Sequence, residues 1–401
     1  MIKRESYLAK LRRLKDINVI KVLTGVRRAG KSTVFLQLRD ELVAEKAGNI
    51  IYYNLEEKEN ERFLVDADAL YDQIMSEIDD SAMNYIFIDE VQMVPEFERA
   101  VDSLYVKENT DIYLTGSNAY MLSSDIATLL TGRYVEIKIQ PLGFAEFVEF
   151  FADEGRDVSQ LFRMFLDMGG FPEVANMLTR SATTEVSLYL NGVYDTITEK
   201  DVKKRKGIYD MDAFRRVYLY CLDNVGNVTS ANNIANALSS KRLTIDRKTV
   251  VDYLQSMMDC FLLYRAERYD IRGKNILQTG EKYYTVDLGL TNALLGRPSG
   301  ADVGRRIENL VFLELNRRYG QVFVGKNYGK EIDFVVRNAE MEWEYFQVSL
   351  TLAEAGTRER ELAALENTGD FYRRTVLTMD PIDTDERGIR CRNLVQWLLE
   401  V

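Results

Sequence analysis

Two glycines, a lysine and a serine, spaced as Gly25-Val26-Arg27-Arg28-Ala29-Gly30-Lys31-Ser32, are the residue types that bind polyphosphate. The glycines free the backbone to bring several N–H groups toward one anion. A lysine at this spacing reaches the β/γ oxygens, and a serine hydroxyl ligates Mg2+. A helix beginning at Lys31 adds the positive end of its aligned peptide dipoles to the same anion. The pattern predicts binding of a nucleoside triphosphate and Mg2+ through Gly25, Arg28, Ala29, Gly30, Lys31, Ser32 and Thr33.

A second set of chemically able residues lies downstream. Tyr85-Ile86-Phe87-Ile88 is an apolar run ending in Asp89-Glu90, which can set Asp89 beside the metal and leave Glu90 to polarise water. The plainer alternative is a strand running into an acidic turn. Ser117, after Ile112-Tyr113-Leu114-Thr115-Gly116, is placed either to sense a γ-phosphate or merely to make a polar turn with Asn118.

These groups meet only if the elements carrying them alternate. The β-rich run Val19 to Thr24 precedes the loop, and Thr33 to Leu38 follows it with apolar residues at helical spacing. Strands at Asn49–Leu55, Tyr85–Asp89, Asp111–Asn118 and Tyr134–Ile139 alternate with helices near Ala69–Ile78 and Phe97–Tyr105. Five strands so interleaved predict an α/β fold with a doubly wound, mostly parallel sheet and the ligand at the carboxyl ends of its strands.

Composition narrows the chemistry further. The 401 residues are 46% hydrophobic and 29% charged, and no histidine occurs, which excludes His-based acid–base and nucleophile pairs. A net charge of −11 means that any nucleic-acid-binding surface must be local. Cys221, Cys260 and Cys391 are odd in number and far apart, which fits a reducing compartment. With no apolar run long enough to span a bilayer, a cytoplasmic chain without a membrane partner is expected.

The sequence resembles the bacterial and archaeal AAA-type P-loop ATPases that carry a C-terminal domain of unknown function. The matching pieces are Leu23 to Thr33, Ile88-Asp89-Glu90-Val91-Gln92, Leu114-Thr115-Gly116-Ser117, Thr131-Gly132-Arg133, Pro141 to Phe147 and Gly169-Gly170-Phe171-Pro172-Glu173. The resemblance implies that Lys31 and Ser32 bind phosphate and Mg2+, that Asp89 and Glu90 form the metal and water site, and that Ser117 lies on the sensor strand. Arg133 has three readings: it faces the γ-phosphate of its own subunit, it faces that of a neighbour in an oligomer, or it pairs with a surface acid.

The P-loop ATPase core is expected over 1–146, and a helical lid over 147–206, which ends in the basic run Lys200, Lys203, Lys204, Arg205 and Lys206. Three helices and a hairpin over 207–290 predict a winged helix. Lys241, Arg242, Arg247 and Lys248 approach its third helix, and Arg265, Arg268, Arg272 and Lys274 lie on the wing, where they could meet DNA phosphates. Asp246, Asp252 and Asp259 favour a protein partner instead. The segment 300–401 looks like a small α/β restriction-endonuclease-like domain, with Glu308 on a helix and Asp333 on a strand opposite Gln347 if the intervening turn centres near Glu340. Ser349 stands where that pattern has lysine, and Gln347 is neutral, so efficient cleavage is not expected unless Lys326 or Lys330 reaches in. The functional expectation is an ATP-hydrolysing switch or motor acting on DNA. The alternatives are an ATP-dependent protein-interaction module and an ATP-regulated nuclease.

Overall fold

The computed structural model describes residues 2–117, 130, 132–203, 207–240, 245–297, 300–366, 368–381 and 383–400. Asn118, Thr131, Lys204, Arg205, Lys206, Lys241 and Arg242 lie outside them. The chain forms two compact units, Met1–Pro141 with Asp259–Phe261, and Leu142–Met258 with Leu262–Val401.

The first unit is built on β1 (Ile20–Thr24), β2 (Asn49–Asn54), β3 (Asn84–Asp89), β4 (Thr110–Gly116) and β5 (Tyr134–Lys138). They run in the order β2-β3-β4-β1-β5, and each neighbouring pair is parallel. The expected parallel sheet is therefore present. Burial on both faces explains why β1, β3 and β4 read as nearly continuous apolar runs. The helices of this unit include α1 (Glu5–Leu14), which precedes β1, and the connecting α2 (Lys31–Glu45), α3 (Ala67–Glu77) and α4 (Phe97–Tyr105). Asp66 caps α3 by accepting from the N–H groups of Asp68 and Ala69. One face of the sheet closes over Phe63, Leu70, Ile74, Phe97, Val101 and Leu104.

The second unit opens with the helices α5 (Phe144–Phe150), α6 (Val158–Met168), α7 (Pro172–Thr179) and α8 (Val186–Ile197). This is the helical segment expected as a lid. It packs on α12 (Leu288–Leu295) of its own unit. Asn292 donates to the carbonyls of Leu166 and Asp167 at 3.1 and 2.9 Å, and Asp287, which caps α12, accepts the Gly170 N–H at 2.7 Å. Gly169, at φ +79°, lies so close to this carboxylate that a Cβ would come within 2.2 Å of it, so glycine is required where the chain turns between α6 and α7.

Between these parts lie α9 (Met211–Asp223), β6 (Val228–Thr229), α10 (Ala231–Ser239), α11 (Arg247–Asp259), β7 (Leu263–Asp270) and β8 (Asn275–Thr285). Ser230 caps α10 by accepting the Asn233 N–H. The rest comprises α13 (Val303–Tyr319), β9 (Val322–Asn327), β10 (Lys330–Arg337), β11 (Trp343–Ser349), α14 (Ala355–Leu365), β12 (Arg373–Thr378), β13 (Thr384–Glu386), β14 (Ile389–Asn393) and α15 (Leu394–Leu399). Strand β7 pairs with β8 on one side and runs parallel to β9 on the other, making one sheet of order β13-β14-β12-β11-β10-β9-β7-β8-β6. The segments 207–290 and 300–401 therefore contribute to one sheet, joined where β7 runs parallel to β9. Among the described residues, no helix is long and apolar enough to cross a membrane.

Candidate functional site

The strand order brings the carboxyl ends of β3, β4 and β1 side by side, so the residues that follow them share one edge of the sheet. The loop leaves β1 through Gly25 at φ +144°, where a Cβ would come within 2.0 Å of the Ile139 carbonyl oxygen. Only glycine satisfies both demands. Arg28 and Gly30 also take left-handed backbone, at φ +67° and +95°, and the chain then enters α2 at Lys31. Ala29 is buried, Arg28 is exposed and Thr33 is half-buried in the first turn of α2. The Lys31 ammonium, itself only 4% exposed, donates to the carbonyls of Gly25 and Val26 at 3.1 and 3.2 Å and lies 4.0 Å from Glu90.

Asp89 and Glu90 have different surroundings. Burial pushes the Asp89 carboxyl above its ordinary value, while hydrogen bonds from Thr115 and Ser32 pull it back. The Ser32 hydroxyl and the Asp89 carboxylate are thus adjacent, a donor pair of the kind that suits Mg2+. Glu90 takes a left-handed backbone at φ +57°, and its N–H donates to the Thr115 hydroxyl at 2.9 Å, so its side chain turns away from that of Asp89. Burial pushes Glu90 up as well, but the charges of Lys31 and Arg27 and hydrogen bonds with Gln92 and Ser117 more than offset it, so the carboxyl sits below its ordinary value. Gln92 donates to both Glu90 and Ser117.

The structure therefore brings together Lys31, Ser32, Asp89, Glu90 and Ser117. Sequence reasoning missed the roles of Thr115 and Gln92, although both stood inside motifs it had isolated. Arg133 is placed elsewhere. It precedes β5, whose Tyr134 is level with Ile20 at the amino end of β1, so about five residues of strand, roughly 16 Å, separate it from the loop. Its guanidinium pairs with Asp102 and lies over the Tyr105 ring at 5.4 Å. Of the three readings, the acid pair is the arrangement observed, and the strand register removes the in-subunit contact with a γ-phosphate. Arg133→Ala is expected to leave ATP turnover within about twofold and to cost less than about 1 kcal/mol. Phosphate release at two protein concentrations checks this, and a large loss that depends on concentration would restore a cross-subunit role.

In the second unit, Glu308, Asp333 and Gln347 do converge. The register Phe334 with Phe346 sets Asp333 opposite Gln347. The Asp333 N–H donates to the Gln347 side chain at 3.2 Å, and Asp333 in turn accepts the Val348 N–H at 2.8 Å. Neither expected lysine serves as the cation. Lys330 donates to the Ala363 carbonyl, and Lys326 lies level with Glu331 in the neighbouring strand. Instead Lys282, from β8, is buried and contacts Glu308 at 3.3 Å and Glu331 at 2.7 Å, while the Tyr284 hydroxyl donates to Glu308 at 2.9 Å. Burial pushes the Lys282 ammonium down, but Glu308, Glu331 and Asp333 outweigh it and hold the group charged.

Comparison with known proteins agrees with this architecture. Residues 18–148 match the model of an AAA domain, and residues 159–300 match that of a domain of unknown function. An uncharacterized protein of Haemophilus influenzae is 39% identical over 100% of this chain and 99% of its own length. The chain belongs to the AAA-type P-loop ATPase family with a C-terminal domain of unknown function. An uncharacterized protein of Methanocaldococcus jannaschii is 29% identical over 87% of this chain and 78% of its own. In fold, the chain is similar to a Walker-type ATPase of Pyrococcus abyssi, with a TM-score of 0.54 at 14% identity, covering 73% of this chain and 96% of that one. Family membership supports ATP binding and nucleotide hydrolysis as the general function.

Proposed function

We propose that this chain hydrolyses ATP with Mg2+ and uses the cycle as a switch. The observation that carries the reading is the divided pair at the end of β3, with Asp89 on Ser32 and Thr115, and Glu90 on Gln92 and Ser117. Gly25, Arg28, Ala29, Gly30, Lys31, Ser32 and Thr33 would hold the phosphates. Ser32 and Asp89 would hold Mg2+, which when bound neutralises charge on the β and γ oxygens. Lys31 would stabilise the same oxygens, Glu90 would orient and polarise water, and Ser117 would fix the Glu90–Gln92 pair relative to the γ-phosphate. Phosphate release from ATP by the purified chain, in Mg2+ and in EDTA, tests this, and no Mg2+-dependent release would refute it.

The second unit is where the switch would act, with DNA as the proposed target. The order α9-β6-α10-α11-β7-β8 supports the winged-helix reading, and Arg247 and Lys248 are exposed at the start of α11, the third helix of that order. The wing supports DNA contact less, since Arg265 is engaged by Glu267 and Glu281, and Arg272 lies 4.4 Å from the Tyr328 ring centre. Affinity of the full chain for duplex DNA should fall steeply with salt, because phosphate contacts release counterions. Absence of such binding would favour a protein partner.

A further inference from the structure

We propose that Arg4, ahead of the residues that match the AAA domain, is a positioning residue of the nucleotide site, setting the orientation of the Ala29–Gly30 peptide in the phosphate loop. The inference rests on the nucleotide-binding reading and adds to it a residue outside every motif.

Arg4 is only 2% exposed, unusual for an arginine. Its guanidinium donates to the Ala29 carbonyl at 3.0 Å and, through both terminal nitrogens, to the Gln140 carbonyl at 3.0 Å, with Pro141 at 3.4 Å. One planar fork thus bridges the phosphate loop and the chain that leaves β5. A lysine, with a single point of donation, cannot hold the same plane. Arg4 is itself held from three sides. Its backbone N–H donates to Gln37 on α2 at 3.3 Å, its carbonyl accepts the N–H groups of Tyr7 and Leu8, and its guanidinium lies 4.8 Å from the Tyr7 ring centre.

The consequence for the loop follows from peptide geometry. Among the described residues no peptide is cis, and across a trans peptide the C=O and the following N–H point in opposite directions. Drawing the Ala29 carbonyl to Arg4 turns the Gly30 N–H the other way, into the concavity of the loop. That peptide lies between left-handed residues at Arg28 and Gly30, ahead of the helix that starts at Lys31, so a side chain gripping its carbonyl can set its orientation.

The test compares Arg4→Lys and Arg4→Gln with Tyr7→Phe. The last removes a hydroxyl that accepts the Gln140 N–H at 3.2 Å but leaves the Ala29 contact in place. Binding of a fluorescent ATP analogue, steady-state KM and kcat, and Tm are measured on the full chain. Arg4→Lys and Arg4→Gln are expected to weaken ATP binding about tenfold, mostly in KM, whereas Tyr7→Phe lowers Tm and leaves affinity within about twofold. Affinity within twofold of wild type in a folded Arg4 variant would overturn the proposal. So would an equal loss of affinity in Tyr7→Phe at the same drop in Tm, because that is general softening. Failure of the wild type to bind ATP would instead refute the nucleotide reading itself.

Discussion

Glu90→Gln is expected to lower ATP turnover by about 10²- to 10³-fold while ATP affinity stays within about threefold. The substitution removes the charge that polarises water but keeps the length of the side chain and its hydrogen-bonding reach toward Gln92 and Ser117. Lys31→Ala should behave in the opposite sense. Its ammonium is held by the Gly25 and Val26 carbonyls at the mouth of the loop, so its loss removes phosphate affinity first, and turnover falls with it. Binding of a fluorescent ATP analogue, read beside single-turnover hydrolysis, separates the two effects. Equal turnover in wild type and Glu90→Gln would remove Glu90 from the chemistry and leave its burial against Lys31 and Arg27 as a structural ion cluster.

The first unit was legible because its signals are local. Each strand of the parallel sheet is a short apolar run, and the loop between β1 and α2 is fixed by the backbone needs of Gly25 and Gly30. The structure adds the lateral order, which places β4 between β3 and β1 and so carries Thr115 and Ser117 to the Asp89–Glu90 edge. No single-strand pattern contains that information. Arg133 kept three readings for the same reason. Nothing local to Thr131-Gly132-Arg133 says at which end of the sheet it falls, whereas the parallel register of β5 with β1 sets it at the amino end of the strands, beside Asp102. Arg4 was missed because nothing in the periodicity near residue 4 distinguishes an arginine that snorkels to solvent from one that is buried under the phosphate loop. In the second unit, the pairing of Asp333 with Gln347 was readable, since a hairpin's register follows from where its turn falls. The counter-charge was not readable, because Lys282 lies 51 residues from Asp333 and reaches it only through the lateral joining of β7 to β9.

That joining gives Lys282 the larger expected effect on stability. It is buried, and its ammonium ties β8 to Glu308 on α13 and to Glu331 on β10, so Lys282→Met leaves two carboxylates facing each other with no cation between them. Removing one partner of a buried ion pair costs about 3–5 kcal/mol, and the lower end applies here because the Glu308 and Glu331 side chains keep 20% and 35% of their exposure. A loss of about 3 kcal/mol corresponds to a Tm drop of roughly 10 °C for a unit of this size. Lys282→Met combined with Glu308→Gln should recover part of that loss, because the two changes act on one charge cluster and are not additive. The same contacts predict poor Mg2+-dependent DNA cleavage. The carboxylate that would take the metal is already occupied by an internal cation, Gln347 is neutral, and Ser349 gives the attacking water no charge. Plasmid and single-stranded DNA incubated with the chain in Mg2+ or Mn2+, with and without ATP, should remain intact. Cleavage by the wild type that Asp333→Ala abolishes would reverse the role of Lys282, making it the cation of an active centre supplied from the hairpin.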